Sequence, residues 1–228
     1  MNRDLDKFQR IIGYKFNNCG VLKQAFIHPS YSGEMNMKRY ESNQRLEFLG
    51  DAVLELAVSD YLYKVHPMVE EGELTRKRSS LVFEAALDKC ARAIDLGDFL
   101  YLGKGEDAGA GREKPSILSD AFEAVIGAIY VDGGYAPAEK FISTFIIEKI
   151  DEMSLLRDGK SLIQRYVQER PDSTLEYVVD EVGQPGDAER FKAQLYINGK
   201  LVSEGKGQSK KTAEQNAAIA ACRKLDVK

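Results

Sequence analysis

The stretch Asn43 to Asp60, NQRLEFLGDAVLELAVSD, limits what this chain can fold into more than any other. Leu46, Leu49, Val53, Leu56 and Ala57 recur at helical spacing and make one apolar stripe, while Glu47, Asp51, Leu54 and Val58 make a second beside it. A buried helix is therefore predicted, and it carries two acids among aliphatic residues. Four residues turn a helix by about 400° and raise it by about 6 Å, so Glu47 and Asp51 project from one side, a turn apart. Like charges so placed repel, and half-burying them adds a desolvation cost unless a cation lies between them. The alternative is a solvated acidic edge on an amphipathic helix.

A second segment, Ile117 to Val131, repeats the pattern. ILSDAFEAVIGAIYV is apolar almost all round, which predicts a helix buried on most sides, and its only charges are Asp120 and Glu123. Three residues apart on a helix, these also share a face. A capping box, with Asp120 as cap and Glu123 reaching back, is the structural alternative. Packed together, two such helices gather four carboxylates at one place, as helix bundles do when they build metal sites from facing side chains. With oxygen ligands only, the expected ion is hard, magnesium or manganese rather than zinc or iron.

The rest of the chain frames these segments. Asp4 to Phe26 predicts two short helices separated by a turn at Tyr14 to Gly20, and IHPSYSGE follows as a loop in which His28 is a hydrogen-bonded structural residue. Ser42 and Asn43 are candidate caps for the acid-bearing helix, which runs to about Lys64. Pro67 and Gly72 break the pattern and Thr75 restarts it, which places Arg76, Lys77 and Arg78 on a first turn, where cations oppose the helix dipole. Helical spacing resumes over 81–96, Gly103 to Pro115 reads as a mobile surface loop, and a helical pattern continues to about Met153. Residues 154–159 read as a linker.

Beyond it the texture changes. SLIQRYVQER predicts a helix, TLEYVVDEV, FKAQLYI and LVSEGKG predict strands with Asn198-Gly199 as a hairpin turn, and a helix closes the chain from about Lys210 to Leu225. Lys206, Lys210 and Lys211 recur with glycines near the start of that helix, where backbone N–H groups and lysines together make a phosphate clamp. The formal charge of −4 speaks against phosphate as a partner overall. Residues 158–228, however, carry 12 basic and 11 acidic side chains, leaving 20 and 25 to residues 1–157, so any attraction to phosphate is local. Cys19, Cys90 and Cys222 are odd in number and scattered, which predicts reduced thiols. No apolar run reaches the roughly 20 residues needed to span a bilayer, and MNRDLDKF lacks the apolar core of a signal peptide, so a cytoplasmic protein is expected, with no membrane partner.

At this point the residues name a family. NQRLEFLGDAVLEL, with ILSDAFEAVIGAIYVDGG downstream, resembles the signature segments of bacterial ribonuclease III, and SLIQRYVQ followed by GKGQSKKTAEQNAA resembles its C-terminal double-stranded-RNA-binding domain. The resemblance implies a multidomain chain: an all-α, homodimeric endonuclease domain over 1–153, a linker over 154–159, and an α+β (α-β-β-β-α) RNA-binding domain over 160–228. It implies hydrolysis of double-stranded RNA with Mg²⁺, replaceable by Mn²⁺, to give 5′-phosphate and 3′-hydroxyl ends with short 3′ overhangs. Ribosomal RNA precursors are the implied substrates, with some messenger and transfer RNA precursors.

Carried over by motif position, Glu47, Asp51, Asp120 and Glu123 are the metal ligands, Asp51 and Glu123 the catalytic acids among them, and Gln44 and Glu71 supporting residues. Ser161 and Gln164 face the RNA minor groove, and Lys206, Lys210 and Lys211 reach phosphates. Two positions depart from the family pattern. Gln44 stands where many members have Glu, and Asp187 lies near a place often held by histidine, where a carboxylate repels RNA. Two other classes compete: a non-catalytic RNA-binding protein has no use for acids on buried helices, and a di-iron bundle needs Glu-x-x-His pairs that neither His28 nor His66 supplies.

Overall fold

The computed structural model describes residues 3–227, the side chains of 150–154 and 157 excepted. The backbone divides into two compact units, Met1–Ile150 and Asp151–Lys228. The first holds helices α1 (Leu5–Ile12), α2 (Cys19–Ala25), α3 (Pro29–Glu34), α4 (Gln44–Val65), α5 (Glu71–Ser79), α6 (Glu84–Ala93), α7 (Lys104–Ala108), α8 (Pro115–Gly133) and α9 (Tyr135–Phe145). Helix α10 (Ile150–Gln168) opens the second, followed by strands β1 (Leu175–Glu181), β2 (Phe191–Ile197) and β3 (Lys200–Gly207) and helix α11 (Lys210–Leu225).

The predicted acid-bearing helices are α4 and α8, and they cross at the centre of the first unit. Gly50 and Gly127 meet there: a Cβ on Gly50 would lie 1.9 Å from the Glu123 carbonyl oxygen, and one on Gly127 would lie 2.1 Å from that of Leu46. Around the crossing, Leu46, Val53, Leu54, Ala57, Val58 and Leu62 of α4 are buried, as are Leu118, Phe122, Val125 and Ile129 of α8. Leu56 departs from expectation and is 57% exposed. The packed arc of α4 runs from Val53 through Leu54 to Leu62, and Leu56 falls on the opposite flank with Phe48, Ala52 and Tyr63.

Three further segments differ from their sequence reading. IHPSYSGE is not a loop: His28 caps α3, its Nδ1 accepting from Ser30 N at 3.2 Å, and Pro29 opens the helix. Helix α5 starts at Glu71 rather than Thr75, so Arg76, Lys77 and Arg78 lie in its last turn, where they complement the dipole instead of opposing it. Gly103 to Pro115 contains α7 and a short 3₁₀ turn, and it is anchored: Arg112 Nη1 donates to the carbonyls of Gly97 and Leu100, each at 2.8 Å, and its guanidinium pairs with Asp107. Glycine content alone suggested mobility, and the anchoring comes from residues distant in sequence.

In the second unit the sheet is antiparallel in the order β1-β2-β3. Asn198 and Gly199, both at positive φ, turn β2 into β3 as predicted. One sheet face packs on Ile163, Ala213, Ala217, Ala218, Ala221 and Cys222. The alanines are required because α11 lies on the β3 backbone: a Cβ at Gly205 would fall 2.1 Å from Ala217 N. Residues 154–159, expected as a linker, are helical and belong to α10. The one residue there with low helix propensity, Gly159, is buried where a Cβ would press on Ile219, so its glycine serves packing rather than flexibility.

Candidate active site

The α4–α8 crossing brings acids from both helices to one place. Glu47, Asp120 and Glu123 each direct a carboxylate oxygen to within 4.8 Å of the others, and each is partly buried. Asp51 lies one turn beyond Glu47 on α4, is exposed, and stands outside this trio, although its charge acts on both Glu47 and Glu123. The capping-box alternative fails on position. Helix α8 begins at Pro115 with Lys114 as its cap, so Asp120 is already in the second turn and has no free N–H groups to cap.

The electrostatics of the trio follow from burial and like charge. Burial first, then the charges of Asp51, Asp120 and Glu47, pushes Glu123 from the ordinary 4.5 up to about 8. Glu47 is raised by burial and by Asp120 and Asp51. Asp120 is raised by burial and by Glu84, against a Ser119 hydrogen bond that favours its ionised form. Burial and mutual repulsion thus both disfavour ionisation, and a divalent cation would remove both penalties. The donors are hard carboxylate oxygens, which fits Mg²⁺ or Mn²⁺. Glu84, in the first turn of α6, was not found from sequence, because only the fold brings α6 beside α8.

The supporting residues separate. Gln44 opens α4, exposed and one turn before Glu47. Glu71 opens α5, accepts from Thr75 Oγ1 at 2.9 Å, and lines a cleft with Leu56, Asp60, Tyr63 and Arg78 rather than joining the trio.

In the second unit, Ser161 and Gln164 are exposed one turn apart on α10, and Lys210 and Lys211 are exposed on the first turn of α11, which Ser209 caps. Lys206 is on β3 with its ammonium held by Glu189 at 2.7 Å. The Asp187 carboxylate accepts from Gln184 N at 2.6 Å and is committed to its own turn.

These two sets of features define a nuclease with an appended RNA-binding module, and comparison with known proteins agrees. The sequence matches the family described as Ribonuclease-III-like over residues 18–150 and the Double-stranded RNA binding motif over residues 160–225. It is 42% identical over 221 residues to Ribonuclease 3 of Bacillus licheniformis, covering 96% of this chain and 89% of that one. Against Ribonuclease 3 of Listeria monocytogenes it is 42% identical, with 96% and 97% covered. The nuclease domain of ribonuclease III from Campylobacter jejuni superposes with a TM-score of 0.57 at 38% identity, covering 62% of this chain and 98% of that one. In that protein a region involved in dimer formation is structurally flexible. The chain belongs to the ribonuclease III family. It is accordingly an enzyme, a ribonuclease joined to a double-stranded-RNA-binding domain, and among the described residues no helix is long and apolar enough to cross a membrane.

The raised acids fix the sign of a pH effect. A carboxyl whose folded pKa lies above its unfolded value stabilises the fold relative to the ionised form below the unfolded pKa, and that contribution is lost as pH rises through the folded one. For Glu123 the window runs from 4.5 to about 8. Metal-free protein should therefore melt at progressively lower temperature across this window, and Glu123→Gln should flatten the slope and melt higher at its alkaline end. Parallel slopes for the two proteins in calorimetry would remove Glu123 as the source.

Proposed function

We propose that this chain hydrolyses phosphodiester bonds in double-stranded RNA at a Mg²⁺ site formed by Glu47, Asp120 and Glu123, with Asp51 as the fourth acid. The observation that carries the reading is the convergence of acids from two buried helices whose ionisation is disfavoured until a cation is bound. The chemistry a divalent cation supplies at such a site is Lewis acidity, which makes water a competent nucleophile near neutral pH and offsets charge developing on a phosphate. The chain's part is to hold the carboxylates on rigid helices, with Glu123 deepest and Asp51 on the open side, where the RNA backbone enters. Asp51 and Glu123 are the catalytic acids in this reading, and Gln44 is a supporting residue able to hydrogen-bond without adding charge. Mn²⁺ substitutes for Mg²⁺, and the products carry 5′-phosphate and 3′-hydroxyl ends with short 3′ overhangs.

Residues 1–153 form the nuclease domain, 160–228 the RNA-binding domain, and 154–159 the segment joining them, helical rather than coiled. A-form RNA presents a shallow minor groove to Ser161 and Gln164, while Lys210, Lys211 and, once released from Glu189, Lys206 meet phosphates. Selection follows duplex shape more than base order. Cytoplasmic ribosomal RNA precursors are the proposed substrates, with some messenger and transfer RNA precursors, and mapping RNA ends with and without the active enzyme tests this.

A homodimer is supported by the outer flank of α4, where Phe48 is 80%, Leu56 57% and Tyr63 74% exposed. An apolar face of this kind on a helix that carries active-site acids suits a second copy related by a two-fold axis, which places two active sites on one duplex.

Four variants test these readings. Glu123→Gln should cut plain duplex RNA at least about tenfold more slowly in limiting Mg²⁺, as loss of a metal partner does, while still binding duplex without metal; cleavage at the unmodified rate would return Glu123 to a structural role. Changing Lys210 and Lys211 together to Ala should weaken binding to every duplex and lower the log–log salt slope by about 0.9 for each lost contact, taking the DNA value as guide. Lys206→Ala should cost less because Glu189 already occupies that ammonium, and an unchanged slope in the double variant would take both lysines out of the interface. Phe48→Glu should convert the sedimenting species from dimer to monomer, whereas an unmodified protein that is already monomeric at micromolar concentration contradicts the dimer.

A further inference from the structure

At the α4–α8 crossing, neither glycine leaves room for a side chain. Beyond the 1.9 Å approach to the Glu123 carbonyl oxygen, a Cβ at Gly50 would lie 2.9 Å from Gly127 N, and one at Gly127 would lie 2.9 Å from the Leu46 carbonyl carbon. All of these are main-chain atoms, so no change of rotamer relieves the overlap. Non-bonded heavy atoms rest at roughly 3.5 Å, so alanine at either position would part the helices locally by roughly 1.5 Å. The atoms forced to move are those of Glu123 itself and of Leu46, the residue before Glu47. Each glycine is also about one turn from an acid of its own helix, Gly50 from Glu47 and Gly127 from Glu123.

Resting on the metal site proposed above, we infer that Gly50 and Gly127 are positioning residues that set which cation size the site prefers. Six oxygens around Mg²⁺ at about 2.1 Å lie at most about 4.2 Å apart, while around Ca²⁺ at about 2.5 Å they reach about 5 Å. The carboxylate oxygens of the trio, within 4.8 Å of one another, span no more than a Ca²⁺ shell does and must draw closer to span a Mg²⁺ shell. Added helix separation puts a Mg²⁺ shell out of reach before a Ca²⁺ shell. The close crossing that the glycines permit therefore keeps Mg²⁺ within reach of the site.

Metal binding without RNA tests this. The full-length protein, Gly50→Ala and Gly127→Ala are titrated calorimetrically with MgCl₂ and with CaCl₂, and far-UV circular dichroism checks the fold. The ratio of Mg²⁺ to Ca²⁺ affinity should fall by about tenfold or more in the alanine variants, the scale on which residues supporting a metal site act. A merely structural lesion weakens both ions alike, and a folded variant that keeps the original ratio overturns the proposal.

Because alanine can prevent folding here, Glu123→Asp supplies a second arm by shortening one carboxylate on an unaltered backbone. Helices already in contact cannot close that gap, so Mg²⁺ binding should weaken, and by a larger factor than Ca²⁺ binding. An Asp variant that binds Mg²⁺ like the unmodified protein would show that the helices are free to settle closer, which also overturns the proposal. Unmodified protein that takes up neither ion fails earlier and differently: it removes the metal site itself, and the glycine role with it.

Discussion

Main chain meets main chain where α4 crosses α8, and the first unit is built around that contact. Two helices can approach so closely only where both lack a side chain, and Gly50 and Gly127 supply that gap. The approach determines what can surround it. Ala121, Ala124 and Ala128 are fully buried on α8, and Leu54, Val58 and Phe122 fill the flanks. It also brings Glu47 to Asp120 and Glu123, residues more than seventy positions apart in the chain. A larger residue at the crossing would leave each acid pair on its own helix, with repulsion and no shared site.

The unit tolerates a cluster that opposes its own folding. All three acids are raised by burial, Glu47 and Glu123 also by neighbouring acids of the cluster and Asp120 by Glu84, and Glu123 is pushed up to about 8. The surrounding helices must offset this, which explains why α8 is so thoroughly buried and why the segments at its start are tied down. Arg112 fastens the 103–115 segment to the carbonyls of Gly97 and Leu100, and Asp132, at the far end of α8, accepts from Tyr14 and from the amides of Asn17 and Asn18. Both ends of the helix that carries Asp120 and Glu123 are thereby fixed by groups remote in sequence.

Much of this was legible in the chain because periodicity reports burial directly. Acids on apolar stripes marked α4 and α8, and alternating residues with Asn198-Gly199 marked the sheet and its turn. What periodicity lacks is the direction of packing. Leu56 fits the apolar stripe of α4 as well as Val53 does, and only the position of α8 decides that it faces out. Helix starts were also lost where the capping chemistry is unusual: α3, read as a loop, is capped by a histidine side chain, and α5, placed too late, begins after Glu70 with no side-chain cap. Gly50 and Gly127 carried no signal, since a single glycine within a helix reads as a weak point until its neighbour across the crossing is known. Glu84 was hidden for the same reason.

The charge distribution shows how a chain of net charge −4 can meet a polyanion. Over residues 158–228 basic side chains scarcely outnumber acidic ones, so attraction depends on which lysines are left free. On the sheet, Lys192 pairs with Glu204 and Lys206 with Glu189, while Lys160 of α10 is held by Glu214. Lys210 and Lys211 stand exposed at the N-terminus of α11, where the helix dipole raises the local positive potential and backbone N–H groups add donors. With Lys160, Lys192 and Lys206 paired to acids, the charge of Lys210 and Lys211 at that helix end weighs more in the unit's attraction for phosphate. Such an arrangement gains little from a long, featureless anion and more from a duplex whose phosphates and minor groove lie at the separation that α10 and α11 present together.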